Sequence, residues 1–235
     1  MERFGYWKDC GVRLEGEGAW GLTREFLQMW QRMDGQLYHE YDYYRPLHHP
    51  LEQGFCQTVV DGPDDNPNNA AEDLFLQMIS RARREVYITT PYLAIDEPML
   101  KALCLAGDSG VDVRLMMPGI PDHKFAYQVA QSYFPELTEH GVKIYTYTPG
   151  LIHGKTVMVD RETAFIGSVN MDFRSFEHNF EVNAFVYDRE FTARMAGVFE
   201  DDASRCHALT PGEWFNRPRP RRWAESLMRV FSPLL

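Results

Sequence analysis

Apolar residues recur along the chain with two different periods. Helical spacing, in which residues three and four apart share one face, occurs between Leu22 and Met33 and again between Leu74 and Ala82. Apolar runs of strand length follow, separated by two more helical segments; the strands are EVYITTPYL, VDVRLMMP and VKIYTYTP, and the helices are PMLKALCLAG and FAYQVAQSYFPELTEHG. Alternation of this kind predicts a parallel or mixed sheet covered by helices.

The second half of the chain adds strands to this pattern. Two apolar runs, LIHGKTVMVD and TAFIGSVN, flank the short polar segment RET, which predicts a hairpin joined to the sheet. A strand, NFEVNAFVYD, and a long helix from Arg189 to about Cys206 complete the main body. The predicted fold class is therefore α/β, with a mixed, largely parallel sheet flanked by helices.

Composition divides the chain into four parts. Residues 1–47 predict a strand, GVRLEG, followed by a helix, whereas 48–69 are rich in Pro, Gly, Asp and Asn and predict a linker with one short strand, FCQTVV. Residues 70–213 form the main lobe, and 214–235 form an amphipathic tail. The tail places Trp223, Leu227, Phe231 and Leu234 beside Arg219, Arg221, Arg222 and Arg229. This pattern suits a solvated helix face and a membrane interface equally well.

Charge and cysteine content exclude several classes of function. The 235 residues are 44% hydrophobic, which is enough for a sizeable core, and the formal net charge of -10 argues against broad attraction to nucleic acid or anionic lipid. An anionic substrate would need local positive charge. The four cysteines form no C-x-x-C pair, so neither a zinc site nor a redox motif is indicated. No apolar stretch reaches the roughly 18 to 20 residues that span a bilayer.

The strongest chemical signal is a set of polar residues at fixed spacing, H-x-K-x4-D-x6-G-S-x-N. Its members are His153, Lys155, Asp160, Gly167, Ser168 and Asn170. Side chains two apart on a strand project from the same face about 7 Å apart, so the imidazole and the ammonium could meet one phosphate. Imidazole is a competent nucleophile and proton carrier near neutral pH, and the lysine could offset charge on the phosphate oxygens. Ser168 and Asn170 could add hydrogen bonds to the same oxygens, with Gly167 in a supporting position.

Two carboxylates are assigned different roles. Strand parity places Asp160 on the face opposite His153, at the mouth of the predicted turn, so we expect it to fix the loop rather than attack. Glu181, on the following strand, is a candidate to hold one imidazole nitrogen and set its tautomer. The other histidines lack the spacing of metal ligands and are interpreted as structural; they include His39, His48, His49 and His178.

This motif is identified as the signature of the phospholipase D superfamily, and the chain resembles bacterial cardiolipin synthases along nearly its whole length. The resemblance rests on GYWKDCGVRLEG, TTPYL, IHGKTVMVDRETAFIGSVNMDFRSFEHNFEVNAFVYD and RRWAESLMRVFSPLL. It implies a phospholipase D-like lobe that transfers a phosphatidyl group to a hydroxyl of phosphatidylglycerol through a phosphohistidine, without metal or cofactor. It also implies His153, Lys155 and Asp160 as the catalytic triad, with Ser168 and Asn170 lining the phosphate site.

The chain departs from that family in one respect, since such synthases carry two motifs and only His153 here is followed by x-Lys. Residues 1–47 are then expected to be the remnant of a first lobe, and the chain a truncated product or fragment. The site would be completed by a missing first lobe or by a second copy in a homodimer.

Three hypotheses about function follow. The chain could be the second lobe of a phosphatidyltransferase, in which His153 would be the acid and base. It could be a single-motif phosphodiesterase acting as a homodimer, or a catalytically silent fragment. The resemblance implies a bacterial protein peripheral to, or anchored at, the cytoplasmic membrane, with a phospholipid and a membrane surface as partners and no nucleic acid.

Overall fold

An eight-stranded sheet forms the centre of the structure, a computed structural model that describes residues 5–47, 54–63, 69–210, 212–213 and 227–234. In the order in which they pair, its strands are β12 (Cys206–Ala208), β6 (Lys143–Tyr147), β5 (Asp112–Pro118), β3 (Glu85–Thr89), β8 (Thr156–Val159), β9 (Thr163–Gly167), β11 (Glu181–Tyr187) and β2 (Phe55–Asp61). Two short parallel pairs lie beside it: β1 (Tyr6–Lys8) with β7 (Gly150–Ile152), and β4 (Leu93–Ala94) with β10 (Met171–Asp172).

The predicted mixed sheet with flanking helices is confirmed, although it has fewer parallel pairs than the sequence indicates. Parallel pairing within the large sheet is confined to β3, β5 and β6. The predicted hairpin of β8 and β9 inserts between β3 and β11, and each of these pairings is antiparallel. Strand β2, which the sequence places in a linker, pairs with β11 over seven residues and is an outermost strand of the sheet.

Within the described ranges the α-helices with assigned bounds are α1 (Glu17–Arg32), α2 (Ala70–Arg81), α3 (Glu97–Asp108), α4 (Lys124–Glu139), α5 (Phe173–Glu177) and α6 (Arg189–Ala203). The alternation of side chains along β3 shows how the two faces are filled. Val86 and Ile88 are fully buried in the core shared with α2, α3 and α4. Tyr87 points the other way and stacks on Phe199 of α6, with ring centroids 4.8 Å apart. Both faces of the sheet are therefore covered, as its near-continuous apolar strands require.

The N-terminal segment differs from its prediction. GVRLEG is not a strand; the strand lies earlier, at β1, and Val12 and Leu14 instead pack against an apolar cluster at the β9–β11 side of the sheet. Helix α1 is present as predicted and contacts β2. Its other face is open, because Phe26, Met29 and Trp30 are 48–55% exposed.

The described end of the C-terminal tail docks on the main lobe. The guanidinium of Arg229 forms ion pairs with Glu97 of α3 and Glu136 of α4 and lies 4.6 Å from the ring centroid of Tyr133. The Tyr133 hydroxyl hydrogen-bonds the buried Ser232. Arg229 therefore interacts with protein groups. Leu227 and Phe231 of the tail are 63% and 40% exposed. The other tail residues predicted to form a solvated or membrane-facing helix lie outside the described part of the chain; they are Arg219, Arg221, Arg222, Trp223 and the side chain of Leu234.

None of the helices in the described ranges is both long enough and apolar enough to cross a bilayer.

Asp160 lies in the tight turn that joins β8 to β9. Asp160 and Arg161 both have φ near 55°, and the amide of Glu162 donates to the carbonyl of Val159, which is the geometry of a type I′ hairpin turn. Aspartate tolerates this left-handed conformation better than most residues. Its carboxylate accepts three backbone N–H groups at 2.8–3.0 Å, from Arg83, Arg84 and Glu85. Asp160 thus ties the hairpin to the start of β3.

Replacing Asp160 by alanine should lower stability. The Asp160→Ala variant removes all three hydrogen bonds and places an alanine at positive φ, so we expect a loss of about 2–3 kcal/mol in the free energy of unfolding. Asp160→Asn retains the left-handed preference and one acceptor oxygen and should lose less than half as much. Urea unfolding of the two variants measures the difference. Equal losses would show that the carboxylate's second oxygen, and not the turn, dominates.

Candidate active site

The motif residues meet at one edge of the sheet because β8 and β9 run antiparallel to their neighbours. Thr89 at the end of β3 pairs with Thr156 at the start of β8, which pairs in turn with Ile166 near the end of β9. Gly167 pairs with Asn183 near the start of β11. The segment before β8, the loop after β9 and the first residue of β11 therefore share this edge; they carry His153 and Lys155, Ser168 and Asn170, and Glu181, respectively.

His153 is held by residues of β1 and the loop that follows it. Its backbone amide donates to the carbonyl of Lys8 at 2.7 Å, continuing the pairing of β1 with β7. Its ring lies 5.2 Å from that of Trp7, and Nδ1 is 3.3 Å from the carboxylate of Asp9. The imidazole is therefore positioned by a segment 144 residues earlier in the sequence.

Two contacts of the imidazole require different proton positions. The Nζ of Lys155 is 2.8 Å from Nδ1 and 3.3 Å from Nε2 of His153. When Nδ1 accepts from Lys155, it has no proton to donate to Asp9; when Nδ1–H donates to Asp9, the lone pair is on Nε2. The second arrangement is the reactive one, because Nε2 is then free to attack phosphorus or accept a proton.

The environment of Lys155 favours anion binding. Desolvation lowers the pKa of its ammonium below that of an ordinary lysine, and Asp9, Cys10, Glu181 and Asp122 act in the opposite direction. Its Nζ also donates to the His153 carbonyl at 2.5 Å. A partly desolvated cation gains more from a phosphate oxygen than a solvated one does.

The loop after β9 is fixed from behind by Asn183. This buried side chain accepts from the backbone amides of Ser168 and Val169 at 3.0 and 3.1 Å. The close approach requires glycine at position 167, where a Cβ atom would lie 2.2 Å from the Asn183 Oδ1 atom and 2.5 Å from the carbonyl of Val182. The glycine of the motif is therefore explained by packing against β11.

Ser168 and Asn170, the predicted phosphate ligands, are already engaged with neighbouring groups. The Ser168 hydroxyl accepts from the amide of Val182 at 2.9 Å and lies 3.3 Å from its carbonyl. Asn170 donates from Nδ2 to the Ser175 hydroxyl at 3.0 Å, while its buried Oδ1 has no hydrogen-bond partner among the described residues. The amide of Asn170 therefore retains hydrogen-bonding capacity, and a half-turn would exchange the acceptor for the donor.

Neither Asp160, which the resemblance implies as a member of the triad, nor Glu181, the expected partner of the imidazole, contacts the His153 ring. Asp160 is five residues from Lys155 along β8, a distance of about 16 Å, so it is remote from the imidazole. Glu181 is buried and accepts from Asn179 at 3.1 Å. The carboxylate in contact with the His153 ring is Asp9, which corrects the choice of Glu181 as the hydrogen-bond partner. Glu181 acts on Lys155 through its charge instead.

Asp9 and Asn183 were not predicted from the sequence, and for different reasons. Asp9 lies in YWKDC, a segment interpreted as part of another lobe, and its proximity to His153 depends on a strand pairing that no local pattern indicates. Asn183, in contrast, could have been predicted from the sequence. It is a polar residue at an inward-facing position of an apolar strand, and such residues are usually retained for their hydrogen bonds.

The Gly167→Ala variant should be destabilised and lose affinity for phosphate. The added methyl group overlaps Asn183 and the β11 backbone, and overpacking of this kind costs about 1–3 kcal/mol. Gly197→Ala is the matched control, since a Cβ there meets nothing within 4 Å and helix α6 should gain ~0.5–1 kcal/mol. Urea unfolding and orthophosphate titration measure both effects. A Gly167→Ala protein as stable as wild type would contradict the proposed packing.

The chain matches a protein family and curated relatives that share one description. The family described as "Cardiolipin synthase, PLD-like domain" matches residues 75–203. A cardiolipin synthase from Listeria monocytogenes serotype 4a (strain HCC23) is 37% identical over 237 residues, covering 100% of this chain and 48% of the relative. Cardiolipin synthase 2 from Bacillus anthracis is 41% identical over 233 residues, covering 99% of this chain and 45% of the relative. The chain thus spans about half the length of these relatives.

Solved structures share the fold at low sequence identity. Nuc from Salmonella typhimurium, a phospholipase D family member, superposes with a TM-score of 0.55 at 21% identity, covering 67% of this chain and 99% of that one. A phosphatidylserine synthase from Haemophilus influenzae Rd KW20 gives a TM-score of 0.59 at 14% identity, covering 77% of this chain and 47% of that one. The family match and the similarity of the whole chain to the curated relatives show that the chain belongs to the cardiolipin synthase family of phospholipase D-like domains.

Proposed function

We propose that this chain supplies one half of a two-histidine site for phosphatidyl transfer, with phosphatidylglycerol as donor and acceptor and cardiolipin and glycerol as products. The observation that carries the proposal is the grouping of His153, Lys155 and Asp9 at one sheet edge. It combines a nucleophile or proton carrier, a cation for the phosphate and a carboxylate that orients the ring. The names of the half-matched relatives supply the substrate class.

The first chemical step forms a phosphorus–nitrogen bond. Nε2 of one imidazole attacks the phosphorus of phosphatidylglycerol, and the bond from phosphorus to the glycerol head group breaks. The departing glycerol oxygen takes a proton from a second imidazole, leaving a phosphatidyl-histidine. In this step Lys155 neutralises charge on the non-bridging oxygens, which allows attack on a phosphodiester anion.

The second step resolves that intermediate. A hydroxyl of a second phosphatidylglycerol gives its proton to the imidazole that acted as acid and attacks phosphorus, and the phosphorus–nitrogen bond breaks. Cardiolipin leaves and both histidines return to their starting protonation states. Water entering in place of the hydroxyl would yield phosphatidate, so transfer depends on excluding water from the edge where His153 lies.

Two arrangements can provide the second imidazole. In a two-lobe protein His153 serves as the acid and base while the histidine of the other lobe attacks, an arrangement favoured by relatives twice as long as this chain. In a symmetric homodimer one copy of His153 attacks and the other protonates the leaving group. The solved Nuc chain, matched over 99% of its length, shows that a lobe of this fold also occurs as a whole chain.

His153→Ala should abolish product formation while leaving the fold intact. The backbone amide that bonds Lys8 remains, whereas loss of a proton carrier or nucleophile should lower the rate by about 10²–10⁴-fold or more. The measurement is mass spectrometry of cardiolipin, phosphatidate and glycerol after incubation with phosphatidylglycerol micelles, at matched oligomeric state. His178→Ala, at an exposed histidine, is the control and should keep wild-type activity.

The product pattern separates the hypotheses. Cardiolipin that tracks the dimer would support a site built from two copies, and phosphatidate alone would indicate a hydrolase. Product that persists in His153→Ala would refute the assigned role. If wild type gives no product in any state, autonomous catalysis is excluded, and orthophosphate titration against Lys155→Ala then shows whether the half-site still binds its ligand.

Phosphate affinity should fall as the pH rises into the alkaline range. The fall should begin at a lower pH than it would at a site with an ordinary lysine. The charged form of Lys155 binds the anion, and because its pKa is lowered by desolvation, this charge is lost earlier as pH rises. Lys155→Arg keeps its charge and should show no such fall. Orthophosphate titrations in a Cys10→Ser background remove the neighbouring thiol from the profile. Identical profiles for lysine and arginine would contradict the assignment.

A further inference from the structure

A cavity of about 250 Å³ lies between helix α6 and the sheet, on the face opposite the main core. Its walls are mostly apolar. The eight-stranded sheet contributes Met158 and Ile166, and β7 contributes Ile152. Helix α6 contributes Phe191, Met195 and Phe199. Val198, which also lines the cavity, is 56% exposed, so the cavity reaches the surface along α6.

The cavity and the candidate active site share a wall. Asp9 lines the cavity and also contacts Nδ1 of His153. Gly154, the residue between His153 and Lys155, lines it too, and a Cβ there would lie 2.9 Å from the sulfur of Cys10. Asp9 therefore borders both the imidazole and the cavity, so a group attached to a ligand at the imidazole can extend past this residue into the cavity.

The chemistry of the walls changes from one end to the other. The end nearest the motif is polar, where Lys8 forms an ion pair with the buried carboxylate of Asp202. These two charges offset each other, and Asp9, which faces the imidazole, is the other charged residue of the lining. The remainder is lined by aliphatic, methionine and phenylalanine side chains, which favour hydrocarbon.

The volume limits what the cavity can hold. It equals about eight times the ~30 Å³ that one water occupies in the liquid, and a methylene group is similar in size. A complete phospholipid is far larger. One segment of a single hydrocarbon chain, about eight methylenes long, matches the space.

We propose that this cavity holds the first part of one acyl chain of the phospholipid whose phosphate lies at His153 and Lys155. The inference rests on the proposed function for its substrate class. The cavity then acts as a second anchor: it fixes the lipid on the far side of Asp9 and directs the phosphate toward the imidazole. It also makes affinity dependent on chain length, which a phosphate site alone does not.

The test uses two series of single-chain ligands below their micellar concentrations, alkyl phosphates and the matching alkyl alcohols, titrated calorimetrically into the protein. Affinity should rise about fourfold per methylene, the equivalent of ~0.8 kcal/mol, and level off after about eight. Val198→Trp places a bulky ring at the exposed side of the cavity and should lower the affinity for the ligands with the longest chains at least tenfold. Val230→Trp makes the same change at a 71% exposed residue outside the cavity and should match wild type.

The alcohols separate this inference from the proposed function, because they carry no phosphate. Lys155→Ala should weaken the alkyl phosphates and leave the alcohols unchanged. If the phosphate chemistry is misassigned, the alcohols still show the chain-length series and the Val198→Trp effect. Affinity that does not grow with chain length, or equal effects of the two tryptophan variants, would overturn the acyl-chain site.

Discussion

The antiparallel insertion of β8 between β3 and β9 is the constraint on which the candidate site depends. A strand that ran parallel to β3 would carry His153 and Lys155 to the opposite edge, away from the loop after β9 and from Glu181. The hairpin fixes this direction through its type I′ turn, and Asp160 binds the turn to the chain entering β3. Asp160, which the resemblance implies as a catalytic residue, thus fixes the turn that orients the other motif residues.

Behind the reacting groups, the site is supported by close backbone contacts and a few buried polar groups. Gly167 allows β9 to approach Asn183, and Asn183 in turn holds the amides of the following loop. In front, the cation of Lys155 is partly desolvated, and several acidic groups surround it in a protein with a formal net charge of -10. If the proposed function holds, an anionic lipid is recognised by local geometry and not by the overall field of the protein.

The sequence predicted the alternating elements, the hairpin and the motif because each depends on short-range periodicity or spacing. It overestimated parallel pairing, since a hairpin inserted into the middle of a sheet leaves the same local pattern as one added at an edge. It placed a strand at GVRLEG, where Val12 and Leu14 alternate as in a strand but pack as a loop. The contact of Asp9 with His153 could not be predicted, because it arises from tertiary pairing of β1 with β7.

That pairing has a kinetic consequence. Strand β1 is three residues long, is mostly exposed and closes a loop of more than a hundred residues when it meets β7. The entropy of closing so long a loop has to be offset by few contacts, so we expect β1 to join the sheet late in folding and to detach first in local opening. Opening would carry Asp9 away from His153 while the eight-stranded sheet stays intact. The fraction of molecules with an aligned imidazole is then smaller than the fraction that is folded, and mutations within β1, at Tyr6 or Trp7, would change it.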